Sequence, residues 1–396
     1  MNDSTRELRF GVVGLGARSR IGTHADDPDH GSRVVAVCDP VEAQRRAGLE
    51  QYPGATAYGD HRELLGLGLD GVFLTTPDHL HAGPAIDFLS AGVAVFVEKP
   101  LAITTEDCDR VLETARESGA RLYVGHNMRH MPVVQLMRDL ILDGAIGDVK
   151  AIWCRHFVGH GGDFYFKDWH ADRTRTTSLL LQKGAHDIDV MHWLAGGYTR
   201  RASAFGGLVV YGGITDRLDR SGQRFDEFYK PEENWPPLAQ RGMAPVMDVE
   251  DLSMANLALD NGVFLTYQQC HFTPDYWRNY TVIGTAGRLE NFGDSPGGVV
   301  KVWNARRSNY REDADLVVEI PEAEGGHGGA DPRLVAEFVR FVRDGGATLT
   351  SPVAAREAVA AGCAATESLR NGGTPVDVAP LDPDLVAYFD RGQSHP

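Results

Sequence analysis

The sequence predicts an α/β fold that begins with a doubly wound parallel sheet. Short runs rich in Val, Leu and Phe alternate with helix-length segments through the first 130 residues. These runs are almost continuously apolar, as expected of strands that are covered on both faces. The first run leads directly into a glycine-rich turn, which is where this kind of sheet binds its ligand.

The individual elements follow this rhythm. One crossover segment shows its ends clearly: Thr104 and Asp107 have the spacing of a capping box, and Gly119 stands where the helix should stop. Strand, helix and strand in series wind right-handed, which places the ligand site at the carboxyl ends of the strands. The predicted strands are Leu8 to Val13, Val34 to Cys38, Val72 to Thr75, Val93 to Val97 and Leu122 to Val124.

Composition narrows the class of protein. The 396 residues are 42% hydrophobic, enough for two domains with their own cores. The formal charge of −16 disfavours binding to nucleic acid or anionic lipid. No window approaches the roughly 18 uncharged apolar residues of a membrane span, and the start, MNDSTRELRF, lacks the apolar core of a secretion signal. We therefore expect a cytoplasmic protein with no membrane or nucleic-acid partner.

The glycine-rich turn reads GVVGLGARSR. Gly14, Gly16 and Ser19 occupy the positions of a dinucleotide fingerprint, in which glycines permit a tight turn and the close approach of a pyrophosphate. We expect a helix after this turn, whose N-terminal amides would face the phosphates. Ser19 departs from the usual Gly or Ala. The second strand ends in Asp39, whose carboxylate can accept from both ribose hydroxyls and repels a 2′-phosphate. The pattern favours NAD over NADP, although Arg45 nearby weakens that preference.

Two further strands end in polar residues. The third runs into TTPDHLHAG, and the fourth into Glu98-Lys99-Pro100. Both strand ends should lie at the cofactor edge of the sheet. The alternative is that these polar residues only form turns or lie on the surface, which is their more common role. There Lys99 could lower the pKa of a substrate hydroxyl and accept part of its charge as a hydride leaves carbon.

Four segments together resemble the Gfo/Idh/MocA oxidoreductase family: GVVGLG, TTPDHLHAGPAIDFLSAGVAVFVEKPLA, VGHNMRHMP and LDGAIGDV. The resemblance spans roughly 140 residues and continues more weakly to the end of the chain. It implies an N-terminal Rossmann domain, expected at residues 1–130, followed by an α/β domain with a large open, mainly antiparallel sheet. The second domain is expected at residues 131–396, with its C-terminal segment packing back on the core.

The resemblance also implies site residues. Lys99 corresponds to the family's catalytic lysine. The positions that look like cofactor-lining residues of the family are Gly14, Gly16, Asp39, Thr76, Pro77, His81, Glu98, Lys99 and Asn127.

The second catalytic element of the family is an Asp one helical turn before a His. Here His186 matches the histidine, but Gln182 stands in place of the acid. A glutamine can orient a hydroxyl but carries no proton, so acid-base chemistry would fall to His186, Lys99 or the neighbouring Lys183. The run around Asp187 suggests a metal, but adjacent residues on a helix point apart, and we predict none.

Substrate contacts are less well defined by the pattern. Trp169 could stack on a sugar ring, Arg173 could grip an acidic group, and His186 could contact the reacting hydroxyl. The segment 211–246 is polar, rich in Gly and Pro, and too long for an ordinary hairpin connection. The sequence does not decide among three alternatives: a lid, an oligomer contact or a disordered excursion. The uncovered sheet face implied by the resemblance suggests a homodimer or homotetramer.

Three functions fit the sequence. The leading one is an NAD-dependent dehydrogenase that oxidises a secondary hydroxyl of a sugar, an inositol-like polyol or a glycoside. The second is a redox-neutral glycoside hydrolase that recycles NAD through oxidation and elimination, for which Lys183 could serve as the base. The third is a cofactor-sensing regulator without catalysis, which an intact Lys99 disfavours.

Overall fold

The computed structural model describes residues 6–220, 223–230 and 234–394. The chain forms two compact units. Unit 1 comprises Met1–Asn127, Asp331–Val359 and Leu381–Pro396, and unit 2 comprises Met128–Ala330 and Ala360–Pro380. The predicted domain ranges stay a prediction, and we use the two compact units below.

Unit 1 is built on a six-stranded sheet of order β3-β2-β1-β4-β5-β6, in which all strands run parallel. Its strands are β1 (Leu8–Val13), β2 (Ser32–Cys38), β3 (Thr56–Tyr58), β4 (Gly71–Leu74), β5 (Ala94–Val97) and β6 (Leu122–Val124). This confirms the doubly wound parallel sheet. The short edge strand β3 was absent from the prediction because its three residues carry too little periodicity.

The core of unit 1 is aromatic and apolar. Phe10, Phe73 and Phe96 from three neighbouring strands meet Phe338, and the ring centroids of Phe73 and Phe338 lie 5.2 Å apart. All four rings are fully buried. Burying each ring contributes roughly 1.5–3 kcal/mol to the stability of unit 1.

The crossover helix between β5 and β6 begins and ends as its sequence predicts. The Thr104 side chain accepts a hydrogen bond from the Asp107 backbone amide at 3.1 Å, and the helix spans Thr105–Ser118. Gly119 then adopts φ 70°, the left-handed conformation that glycine tolerates best.

Unit 2 contains a nine-stranded sheet of order β14-β13-β12-β11-β7-β10-β9-β8-β15. Strands β7 and β10 pair in parallel, and the other neighbours are antiparallel, which confirms the mainly antiparallel sheet. Its strands are β7 (Val149–Phe157), β8 (Thr199–Gly207), β9 (Leu252–Leu259), β10 (Phe264–Cys270), β11 (Trp277–Gly284), β12 (Arg288–Phe292), β13 (Val299–Trp303), β14 (Leu316–Glu319) and β15 (Val376–Asp377).

The α-helices of the chain vary widely in length. They are α1 (Glu42–Gln51), α2 (Ala82–Ser90), α3 (Thr105–Ser118), α4 (Pro132–Leu142), α5 (Gly161–Phe164), α6 (Arg173–Thr176), α7 (Leu179–Gln182), α8 (Gly184–Ala195), α9 (Phe225–Phe228), α10 (Gly326–Asp344), α11 (Pro352–Arg370) and α12 (Pro383–Asp390). Across the described residues, no helix is both long and apolar enough to cross a membrane.

The two faces of the nine-stranded sheet differ. One face contacts α8 and carries Cys154 of β7 and Tyr267 of β10, both buried. The opposite face carries Trp153 and Phe264, whose exposed fractions are 52% and 65%. The alternation of side chains along each strand separates a buried from an open face.

Candidate active site

Five loop starts meet at the carboxyl edge of the six-stranded sheet. Gly14 follows β1, Asp39 follows β2, Thr76 lies two residues beyond β4, Glu98 follows β5 and Asn127 lies three residues beyond β6. Because the strands are parallel neighbours, these residues share one edge of unit 1.

The glycine turn has the geometry that its residue types suggest. Gly14 adopts φ 88°, and a Cβ there would lie 2.6 Å from the Thr76 backbone nitrogen. At Gly16 a Cβ would meet nothing within 4 Å, so the backbone faces open space. Ser19 is buried and its carbonyl accepts from the Tyr52 hydroxyl at 2.6 Å, which makes it a packing position. The helix expected after the turn is a 3-10 segment, Ala17–Ala25.

Asp39 is held by the backbone around it. One carboxylate oxygen accepts from the Leu15 amide at 2.9 Å and the other from the Val41 amide at 2.8 Å. Each oxygen retains a second lone pair for a ribose hydroxyl. Arg45, which weakened the preference for NAD, donates to the Asp39 and Pro40 carbonyls at 2.7 and 2.9 Å.

The turn after β4 contacts the glycine turn directly. The Thr75 hydroxyl donates to the Gly14 carbonyl at 2.6 Å, and the Thr76 hydroxyl to the Leu80 carbonyl at 3.2 Å. Pro77 precedes the 3-10 segment Asp78–Leu80. His81 follows that segment and is 1% exposed.

An ion network surrounds the residue before Lys99. Arg18 donates from Nε to Glu98 at 2.5 Å and from its two Nη atoms to Asp331 at 2.7 and 2.9 Å. Asn127 donates to the same Asp331 carboxylate at 3.2 Å. Burial alone lowers the pKa of Arg18, but Glu98 and Asp331 raise it above its ordinary value. Lys99 itself is half-buried.

Neither Arg18 nor Asp331 was among the residues predicted from the sequence. Arg18 lies inside the glycine motif, at a position that the motif leaves unspecified. Asp331 lies 313 residues further along the chain. The only feature of the sequence that could have indicated Arg18 was its closeness to the glycines. No feature of the neighbouring sequence indicated that Asp331 is its partner.

These residues fit a nicotinamide dinucleotide. Gly16 leaves open space beside the turn, and Asp39 retains acceptor capacity for a ribose. The Asn127 side-chain oxygen is buried and has no hydrogen-bond partner among the described residues, so a ligand N–H or O–H could donate to it.

In unit 2, the predicted catalytic residues lie at the start of α8. Gln182 ends α7, Lys183 joins the two helices and His186 lies in the first turn of α8. Gln182 and His186 are 5% and 9% exposed and lie in two successive helices rather than on one, because Lys183 interrupts the helix between them. Lys183 Nζ lies 5.8 Å from the centre of the Tyr165 ring.

Asp187 anchors α8 to the sheet. Its carboxylate accepts from the Tyr280 hydroxyl, from the Tyr267 hydroxyl at 2.9 Å and from His156 Nδ1 at 2.9 Å, and forms an ion pair with Arg278 at 2.9 Å. Burial alone would raise the pKa of Asp187, but Arg278 and His156 lower it below its ordinary value. This polar hub was missed because its partners lie on three different strands.

The histidines near Lys183 are neutral at neutral pH. Burial and, after it, the Arg278 charge lower the pKa of His156 to about 3, although Asp187 acts in the opposite direction. Burial also lowers the pKa of His160 and of His271, with a contribution from the Lys183 charge in both. Among the described residues, no group of three or more His, Cys, Asp or Glu side chains could hold a metal ion. The absence of a metal stays a prediction.

The predicted substrate residues have partners within unit 2. Trp169 stacks on His170, with ring centroids 3.7 Å apart. The exposed Arg173 forms an ion pair with Asp248, at 3.0 Å from Nε. Their part in substrate binding stays a prediction.

The described part of segment 211–246 packs against the short helix α5, which precedes Trp169 and Arg173 in the chain. Asp163, 3% exposed, accepts from Asn234 at 2.7 Å and from Gln240 at 2.9 Å. Phe225 packs on Phe164 with centroids 4.9 Å apart. Residues 221–222 and 231–233 of this segment lie outside the described residues.

Comparisons with known proteins decide the family. Residues 8–126 match the model of an oxidoreductase family with an NAD-binding Rossmann fold, and residues 138–378 match the C-terminal α/β domain of that family. The chain belongs to the Gfo/Idh/MocA oxidoreductase family. The predicted family, the oxidoreductase class and the NAD cofactor are thereby confirmed.

The individual relatives of this Gfo/Idh/MocA protein share between a quarter and a third of their aligned residues with it. It is 25% identical over 306 residues to the oxidoreductase YteT of Bacillus subtilis (strain 168), which covers 68% of this chain and 72% of YteT. It is 32% identical over 199 residues to inositol 2-dehydrogenase of Salmonella typhimurium (strain LT2), which covers 47% of this chain and 54% of that enzyme. The match thus spans about half the length of the inositol dehydrogenase.

A solved structure shows the same fold. Levoglucosan dehydrogenase in complex with NADH and levoglucosan superposes with a TM-score of 0.76 at 19% identity, covering 94% of this chain and all of that one. At this identity the likeness concerns the architecture alone.

Proposed function

We propose that this protein is an NAD-dependent dehydrogenase that oxidises a secondary hydroxyl of a sugar, an inositol-like polyol or a glycoside. The observation that carries the proposal is Lys99, a half-buried lysine at the carboxyl edge of an NAD-binding sheet. The related inositol 2-dehydrogenase supports a cyclic polyol as the class of substrate.

The residues of unit 1 have distinct roles in this proposal. Gly14 and Gly16 bind the dinucleotide backbone, and Asp39 accepts from the adenosine ribose. Bound NAD supplies the hydride acceptor. Lys99 donates a hydrogen bond to the alkoxide-like oxygen that develops on the substrate, and this lowers the pKa of the hydroxyl. Asn127 accepts a hydrogen bond from the ligand.

In unit 2, His186 holds the substrate proton in our proposal. A neutral imidazole can accept a proton, whereas the Gln182 amide can only orient a hydroxyl. Lys183 is the alternative base. Trp169 offers an aromatic face to the sugar ring, and Arg173 a cation to any acidic substituent.

The first experiment measures NADH absorbance with purified protein, NAD and a panel of inositols, aldoses, sugar acids and aryl glycosides. We expect NADH to accumulate with at least one of them. We expect Lys99→Ala to reduce kcat by about 10²–10⁴-fold, the usual contribution of a positioned proton-transfer group. The exposed Lys150→Ala is the matched control and should retain full activity.

Other outcomes would redirect the proposal. NAD-dependent release of the aglycone without NADH would favour the redox-neutral hydrolase. Tight NAD binding with no turnover of any member of the panel would favour a regulator.

We further propose that the protein is cytoplasmic and forms a homodimer or homotetramer through the open face of the nine-stranded sheet. Trp153, Phe205, Met254 and Phe264 lie on that face and are 52%, 58%, 44% and 65% exposed. Apolar patches of this kind mark interaction surfaces. Sedimentation should show an oligomer for the wild type and a monomer for Phe264→Asp; a monomeric wild type would contradict the proposal.

A further inference from the structure

His81 joins two turns at the cofactor edge of unit 1. Its Nδ1 lies 2.6 Å from the Pro100 carbonyl oxygen, and its Nε2 lies 2.9 Å from the Thr76 carbonyl oxygen. The ring is 1% exposed. Both polar atoms are therefore directed to the backbone, one to the turn after β4 and the other to the turn after β5.

The protonation state sets how many of these contacts are hydrogen bonds. A carbonyl oxygen only accepts, so the neutral ring satisfies one carbonyl at a time and the charged ring satisfies both. Burial lowers the pKa of His81, as does the Lys99 charge, while the two carbonyls and the Glu98 carboxylate act in the opposite direction. In either state the ring donates to at least one of the two turns.

The contact to the Pro100 carbonyl restrains the backbone next to Lys99, because Lys99 is the residue immediately before Pro100. On its other side, Lys99 follows Glu98, whose side chain is bound by Arg18 and accepts from the Lys99 amide at 3.2 Å. The backbone of Lys99 is thus attached on both sides: through Glu98 to the glycine turn, and through Pro100 to His81.

We propose that His81 is a positioning residue, which fixes the backbone of Lys99 relative to the turn after β4 and so sets where the lysine side chain begins. This inference rests on the proposed role of Lys99 in the dehydrogenase. A displacement of about 1 Å in a reacting group can reduce a rate by about 100-fold, so a buried backbone anchor has a direct effect on chemistry.

The test measures Lys99 itself and requires no substrate. Acetic anhydride acylates neutral amines, and peptide mass spectrometry reports the acylation rate of Lys99 relative to the exposed Lys150 across a range of pH. We compare the wild type with His81→Phe, which removes both donors, and His81→Gln, which retains one. His61→Phe is the matched control, because the His61 ring also has a hydrogen-bond partner in unit 1, Asp87 at 2.8 Å.

We expect His81→Phe to change the relative acylation rate of Lys99 by at least about threefold, which corresponds to about half a pKa unit. His81→Gln should lie between His81→Phe and the wild type, and His61→Phe should match the wild type. Unchanged acylation of Lys99 in a folded His81→Phe protein of reduced thermal stability would overturn the inference, because His81 would then be only structural.

If His81→Phe does not fold, His81→Gln decides, and acylation equal to the wild type overturns the inference. The result is separable from that for the proposed function. Full turnover in Lys99→Ala would remove the role of Lys99 in catalysis, whereas the acylation experiment reports the surroundings of the Lys99 amine whatever its role.

Discussion

The two sheets of this protein are stabilised in different ways. The six-stranded sheet packs phenylalanines from adjacent strands against Phe338, with no charge in the cluster. The nine-stranded sheet presents His156, Tyr267, Arg278 and Tyr280 to a single carboxylate, Asp187. One core depends on buried apolar area, and the other on polar side chains that surround one buried carboxylate.

This difference has consequences for pH and for substitution. Burial of apolar area is almost independent of protonation. A buried carboxylate surrounded by an imidazole, a guanidinium and two hydroxyls is stable only while each group keeps its charge state. The polar core therefore gives α8 a defined position on the sheet but makes unit 2 sensitive to acid.

The strongest way to disturb this contrast is Asp187→Asn. The substitution removes the nearer carboxylate of the buried Arg278 and leaves the more distant one, Asp294 at 3.9 Å. Removing one partner of a buried ion pair reduces the free energy of unfolding by about 3–5 kcal/mol. Urea denaturation at pH 7 with hydrogen exchange at β7 and α8 measures the loss. Asp148→Asn, whose side chain is 82% exposed, should change stability by less than about 0.5 kcal/mol. Equal effects of the two substitutions would contradict the stabilising role of the contacts around Asp187.

Lowering the pH should destabilise unit 2 more than unit 1, without any mutation. Burial lowers the pKa of both His156 and His192 to about 3 in the folded state, against 6.5 as the ordinary value. The unfolded chain binds more protons between these values, so stability present at pH 7 is lost as pH falls from 6.5 towards 3. At about 1.4 kcal/mol per pH unit for each histidine, the two together lose about 4 kcal/mol at pH 5.

Hydrogen exchange corrected for intrinsic rates, compared at pH 7 and pH 5, measures this loss region by region. We expect the amides of β7 and α8 to lose more protection than those of β1 and β4. Below about pH 3.8 the depressed pKa of Asp187 adds to the same trend, because its stabilising contribution is lost as the pH falls. Equal loss of protection in both sheets would contradict this account.

A smaller effect is expected at the glycine turn of the apolar sheet. Gly14→Ala introduces a side chain at φ 88° whose Cβ would lie 2.6 Å from the Thr76 nitrogen, which destabilises by about 1–3 kcal/mol. Isothermal calorimetry should show weaker NAD binding together with a lower thermal midpoint. Gly54→Ala meets nothing within 4 Å and serves as the control; an identical result for both would argue against strain at Gly14.

The smallest expected effect is at Thr104, the N-cap of α3 in unit 1. Thr104→Ala removes the acceptor for the Asp107 amide and should reduce the free energy of unfolding by about 1 kcal/mol. Thr104→Ser keeps the hydroxyl and should remain close to the wild type in the same denaturation experiment. No difference between the two variants would show that the cap contributes nothing measurable.

Much of unit 1 was predictable from local pattern. Apolar runs located five of its six strands, and Thr104 and Gly119 located both ends of one helix. The missed strand, Thr56–Tyr58, is too short to show a period. The 3-10 segment after Gly16 was expected to be a regular helix because the dinucleotide motif usually precedes one.

The sequence by itself determined the family, the NAD-binding parallel sheet and both ends of α3, because apolar periodicity, glycine turns and capping residues act over a few residues. Only the tertiary structure decided that Arg18 binds Asp331, that Asp187 gathers partners from three strands and that His81 bridges two turns. Such contacts join residues that are distant in the chain, and their choice depends on which buried polar groups the packing of the whole unit brings within hydrogen-bond distance.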